Sequence, residues 1–151
     1  MHLQYNKYTY RKIMCEITYI TVPYDIAVKL KELNFNEKCF SYYKGKEQMI
    51  DLRANFRNPK AKPSAIVKKT NHDFKNKPLT AAPTWDIVLK WFREKGLIGM
   101  LSTEDSKYIY YIEDSIERAC FSKQKYDSYE IARKELVKEL IEIFANVSNN
   151  L

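Results

Sequence analysis

All of the chain's net positive charge falls in one stretch, and that stretch also breaks every regular hydrophobic pattern. Residues 44–78 hold ten bases: Lys44, Lys46, Arg53, Arg57, Lys60, Lys62, Lys68, Lys69, Lys75 and Lys77. Against them stand three acids, Glu47, Asp51 and Asp73, a balance of +7 that equals the formal net charge of the whole chain. The remaining 16 bases and 16 acids cancel. Pro59, Pro63 and Pro78 punctuate the stretch, and its polar runs follow neither the helical nor the strand period. A connection this long without regular structure is unusual inside a compact domain. The expectation is therefore a neutral folded body carrying a long basic loop or arm at 44–78, whose localised charge attracts anions to one place.

The 151 residues fit a single domain spanning 1–151, large enough to bury a core without metal or disulfide staples. Residues 1–11 are polar and Tyr-rich and read as an extended arm. Ile13, Cys15, Ile17 and Tyr19 alternate with their neighbours, the period of a strand. Thr21 is placed to cap a helix over 23–33, with Pro23 in its first turn, Val22, Ile26, Leu30 and Leu33 on its apolar face, and Asn34 as a left-handed stop. Residues 39–43 read as a short strand.

Beyond the basic stretch the pattern sharpens. Pro83 opens and Gly96 closes a second helix, in which Trp85, Val88, Leu89 and Phe92 share a face widened by Ile87 and Trp91. Residues 97–101 and 108–112 read as a hairpin joined through Thr103, Glu104, Asp105 and Ser106. After a looser piece at 114–125, Asp127 and Glu130 form a capping-box pattern for the longest helix. Tyr129, Ala132, Leu136, Leu140, Ile143 and Val147 line its inner face, and its expected end is near Val147. Glu130 with Lys134, and Glu135 with Lys138, are expected ion pairs on its surface. The expected fold class is α+β: an antiparallel sheet including a hairpin, about three packed helices, and a long basic connection.

The run Ala82-Pro83-Thr84, Val88, Trp91-Phe92-Arg93-Glu94-Lys95, the hairpin, then Tyr126-Asp127-Ser128-Tyr129-Glu130 and Ala132 resembles a recurring type of small protein encoded by phages and prophages of gut bacteria. Val22-Pro23 through Ala27, Leu30 to Phe35, and Cys39 follow the same order. The matching features are caps and core faces rather than chemistry. The resemblance implies a phage or mobile-element origin and a bacterial cytoplasm, and it implies no activity.

Other features bound the function. Cys15, Cys39 and Cys120 are far apart and odd in number, which argues against a secreted disulfide framework and for a reducing cytoplasm. No N-terminal apolar h-region and no membrane-spanning run is present in the sequence, so no membrane partner is expected. Three glycines leave no Gly-rich phosphate loop, and no cofactor is expected. No His, Cys or carboxylate pair has metal-ligand spacing, and the neighbours Glu104-Asp105 and Glu113-Asp114 point to opposite sides of a strand. A Cys39–His72 pair is the one arrangement for a nucleophilic cysteine, set against the commoner fate of free cysteine as a small buried apolar residue.

The leading expectation is a non-catalytic binding module that contacts an anionic partner, nucleic acid first, through Arg53, Arg57, Lys60, Lys62, Lys68, Lys69, Lys75 and Lys77. Phe56 and Phe74 are the expected base-stacking rings. A winged-helix docking of the second helix is disfavoured by Asp86 and Glu94 and by its need to bury aromatics. The alternative is a phage accessory protein that binds a host or viral protein through Tyr5, Tyr8 and Tyr10 of the arm or Tyr108, Tyr110 and Tyr111 of the hairpin. A small hydrolase or nuclease stands third.

Overall fold

The computed structural model describes residues 20–46, 49–51, 69–74, 77–114, 119–122 and 124–148. The arm at 1–11 and the strand pattern at 13–19 lie outside these. So do Glu47, Phe56, Arg53, Arg57, Lys60, Lys62, Lys68 and Lys75.

The fold is α+β. Helix α1 runs Tyr24–Glu32. Strands β1 (Ser41–Lys44), β2 (Met49–Asp51) and β3 (Leu79–Ala81) form one antiparallel sheet in the order β2-β1-β3. Helix α2 (Trp85–Glu94) leads into a second antiparallel sheet, order β4-β5-β6, of β4 (Leu97–Glu104), β5 (Lys107–Asp114) and β6 (Ala119–Phe121). Helix α3, Tyr129–Ser148, closes the described chain.

Local chemistry explains most boundaries. Pro23 is itself the N-cap of α1, and its carbonyl accepts the Ala27 N–H at 3.0 Å. Thr21 does not cap that helix as the sequence suggested; it pairs with Thr84 instead. At the other end Asn34 takes φ 61°, and the N–H groups of Asn34 and Phe35 bond the carbonyls of Lys31 (3.1 Å) and Leu30 (2.9 Å). This is a Schellman closure, sealed by the buried side chains of Leu30 and Phe35. Gly96, at φ 86°, ends α2 in the same left-handed way.

The β4–β5 hairpin is longer than the sequence indicated. Pairing runs from Leu97↔Asp114 to Glu104↔Lys107, so the loop is only Asp105-Ser106. Both take positive φ, 50° and 63°, the geometry of a type I′ turn. Gly99 lies on the face under α3, where a Cβ would come within 2.9 Å of Leu136 Cδ1 and 3.0 Å of Leu140 Cδ1.

One hydrophobic core joins the two sheets. It contains Val22, Ile26 and Leu30 near α1, Ala81 from β3, Val88 and Phe92 from α2, Ile112 from β5, and Leu136, Val137 and Leu140 from α3. Trp91 makes edge contacts with Phe35, Phe92 and Phe144 at centroid distances of 5.4, 4.9 and 5.2 Å. The aromatic arc of α2 is thus buried, while Asp86 and Glu94 face outward.

Helix α3 corrects two expectations. Its cap is Ser128, whose Oγ accepts the Ile131 N–H at 3.2 Å; Asp127 instead pairs with Lys107. Tyr129 and Val147 are exposed, whereas Val137 and Ile141 are buried. The Glu135–Lys138 pair is present at 2.7 Å. Among the described residues no helix is long and apolar enough to cross a membrane.

Candidate anion-binding site

The basic stretch is not one structureless connection. Its entry is strand: β1 turns at Gly45 (φ 70°) and pairs with β2, placing Asp51 opposite Ser41. Its return is also tied down. Lys69 pairs with Cys39, the Cys39 N–H reaching the Lys69 carbonyl at 2.8 Å and the Lys69 N–H reaching the Cys39 carbonyl at 3.0 Å. Both stems of segment 52–68 therefore pair with residues two apart in the chain. That segment carries Arg53, Arg57, Lys60, Lys62 and Lys68 and no acid.

Past Lys69 the chain makes a single 3-10 turn, His72–Phe74. Thr70 and Asp73 cap it reciprocally. The Asp73 carboxylate accepts from the Thr70 N–H (2.7 Å) and hydroxyl (3.1 Å), and the Asp73 N–H reaches the Thr70 hydroxyl at 3.3 Å. These Thr70 bonds hold the Asp73 carboxyl below its ordinary range, with smaller help from Lys69 and His72.

Asn71 fastens this turn to the body. It is 8% exposed, donates from Nδ2 to the Phe35 carbonyl at 2.8 Å and accepts the Ala81 N–H on Oδ1 at 2.9 Å. Asn36 adds a third tie, its Oδ1 accepting the His72 N–H at 2.8 Å. None of these asparagines stood out in the sequence, because their partners lie 10 to 36 residues away.

Of the sequence-identified site residues, Lys69, Phe74 and Lys77 are described: Lys77 is exposed, Lys69 half-buried and Phe74 buried. Lys44 and Lys46 are exposed as well. Among the described residues no ion pair joins any of these four lysines to a carboxylate. The ion pairs described lie elsewhere, in α2, α3 and around the hairpin turn, where Lys125 bridges Glu104 (3.2 Å) and Asp105 (2.6 Å). Phe74 differs from its expected role. Its ring is 5% exposed and packs on Tyr42 at 5.2 Å, so it belongs to the folded body and offers no free face to a base.

The loop at 34–38 separates two open grooves. One, of about 520 Å³, is lined by Asn36, Glu37, Lys38, Thr70, Lys90 and Trp91 among others. The other, of about 430 Å³, is lined by Lys31, Asn34, Phe35, Asn36, Asn71 and His72. Lys31 Nζ donates to the Leu79 carbonyl at 2.7 Å, which anchors the ammonium without neutralising it.

Cys39 and His72 do not form a nucleophilic pair. The thiol is 1% exposed, donates to the Glu37 carbonyl at 3.4 Å, and has its pKa pushed up to about 12, first by burial and then by the Glu37 carboxylate. It stays protonated, and the thiolate is the nucleophilic form. Among the described residues, no three His, Cys, Asp or Glu side chains converge as metal ligands would.

No protein-family model, no curated protein and no solved structure matches this chain.

Proposed function

We propose that the protein is a small non-catalytic binding module that engages an anionic partner, nucleic acid first, through the basic stretch 44–78. The observation that carries this reading is the pairing of both stems of the acid-free segment 52–68 to the Cys39–Ser41 stretch. The chain that carries five of the cations thus leaves and re-enters the described body at neighbouring points. Tethered cations neutralise phosphates and release counterions, a sequence-independent source of affinity. The unpaired state of Lys44, Lys46, Lys69 and Lys77 among the described residues supports the same reading, since a lysine already matched by a carboxylate has less to offer a phosphate. In this reading the module is of phage or mobile-element origin and acts in a bacterial cytoplasm.

The test is retention on DNA or heparin. Changing Lys60, Lys62, Lys68 and Lys69 to Ser is expected to abolish it and to leave thermal stability nearly unchanged. Binding that survives the four substitutions removes the segment from the account.

A second reading, contact with a host or phage protein, draws on the exposed Tyr129 and Ile131 at the start of α3. It predicts a complex that persists after nuclease treatment and is lost in Tyr129→Ser/Ile131→Ser.

A further inference from the structure

We propose that the groove lined by Lys31, Asn34, Phe35, Asn36, Asn71 and His72 is a binding site for a phosphoryl oxyanion, the phosphodiester of a nucleic acid or free phosphate. This deepens the binding-module reading and, for the phosphodiester, rests on it. The groove supplies a contact outside segment 52–68, at the point where the chain returns to the body.

The lining is rich in donors and has no carboxylate. Lys31 has three ammonium N–H bonds, one of them spent on the Leu79 carbonyl. Asn36 accepts the His72 N–H on its Oδ1, which fixes the amide's orientation and leaves its NH₂ for another acceptor. Asn34 and the His72 ring add further donors. Asn71 has both ends committed, to Phe35 and Ala81, and serves as a rigid wall. Three acids adjoin lining residues in sequence, Glu32, Glu37 and Asp73; none of them is part of the lining, and Asp73 is turned onto Thr70.

The neighbouring groove shows the contrast. Glu37 is in its wall, and its Lys90 is already paired with Glu94 at 2.9 Å. An anion entering there meets a carboxylate, and of its two lysines, Lys38 and Lys90, the second is already compensated.

The donors also sit on fixed backbone. Lys31 is in the last turn of α1, and Asn34 is held at φ 61° by the Schellman closure. A helix C-terminus ordinarily repels an anion. Here the carbonyls of Lys29, Leu30 and Lys31 are occupied by the N–H groups of Leu33, Phe35 and Asn34, and Lys31 is part of the groove wall. The about 430 Å³ of space exceeds what a phosphate group needs and leaves room for flanking sugars.

The experiment follows the backbone and Asn side-chain amide signals of the native protein by NMR. Inorganic phosphate is titrated in one arm and a short DNA duplex in the other. The variant Asn34→Gly/His72→Ala keeps the left-handed backbone and removes two side-chain donors. Its amide spectrum away from the groove reports that it is folded. The expected result is movement of the Asn34, Asn36 and His72 signals with both ligands. In the variant, phosphate affinity falls by about tenfold or more, and DNA affinity falls with the salt slope unchanged, since neither substitution removes a formal charge. Phosphate shifts in the groove without DNA binding support the site as one for free phosphate and overturn the nucleic-acid reading. DNA binding that leaves the groove signals still in both arms overturns the groove and spares that reading. Equal phosphate affinity in the native protein and the variant also overturns the groove.

Discussion

Lys69 and Cys39 exchange two backbone hydrogen bonds, of 3.0 and 2.8 Å, and so make the return point of the basic segment part of the folded body. A cationic segment fixed at both ends differs physically from a free tail. Less chain entropy is lost when a segment anchored at both ends meets a partner.

Asn71 holds that return point. In Asn71→Ala the Phe35 carbonyl and the Ala81 N–H both lose a buried partner. Leaving such groups unsatisfied costs about 1–3 kcal/mol each. The expected loss of unfolding free energy is about 2–4 kcal/mol, read by denaturant unfolding. Amide exchange should quicken first at 35–39 and 79–81. A change below about 0.5 kcal/mol contradicts the role given to Asn71.

Cys39 makes stability fall in alkali. Its thiol titrates ordinarily at 9.0 and in the fold at about 12. Below the first value both states hold the proton. Between the two the unfolded chain loses it while the fold keeps it, so stability declines with rising pH, by up to about 1.4 kcal/mol per unit. Burial raises Tyr43 and Tyr110 too, so the comparison is the difference from Cys39→Ala, in which their effects cancel. That difference should be flat below the ordinary value and shrink above it. A difference independent of pH rules out a buried protonated thiol.

Ser106 occupies a left-handed position with a Cβ, at φ 63°. Ser106→Gly relieves that cost, worth about 1 kcal/mol, against the greater freedom of glycine in the unfolded chain. A net gain of a few tenths to about 1 kcal/mol is expected. Destabilisation indicates that the Ser106 side chain has a role beyond the turn.

What the sequence made readable was local. Asn34 and Gly96 as helix stops, the buried face of α2 and the hairpin's position all follow from signals within a few residues. Three short strands, β2, β3 and β6, escaped because three residues carry no period. The hairpin loop looked like four residues, since Glu104 is a poor strand former and only the pairing with Lys107 places it in the ladder. Asp127 looked like the cap of α3, yet Lys107 draws it away and Ser128 takes its place. The candidate site was the least readable of all. Its charge was plain, but Asn36 and Asn71, which position the return of the segment, act on partners distant in sequence. Phe74 was read with the charge around it, whereas Tyr42 recruits its ring to the body.

The central claim is that cations tethered at 52–68 bind a polyanion. The most direct measurement is the slope of log binding constant against log salt for a DNA duplex. The native protein should show a steep negative slope. Each of Lys60→Ser, Lys62→Ser and Lys68→Ser should reduce it by about 0.9 with no change in thermal midpoint. A slope near zero in the native protein, or one that the three substitutions leave intact, contradicts the claim.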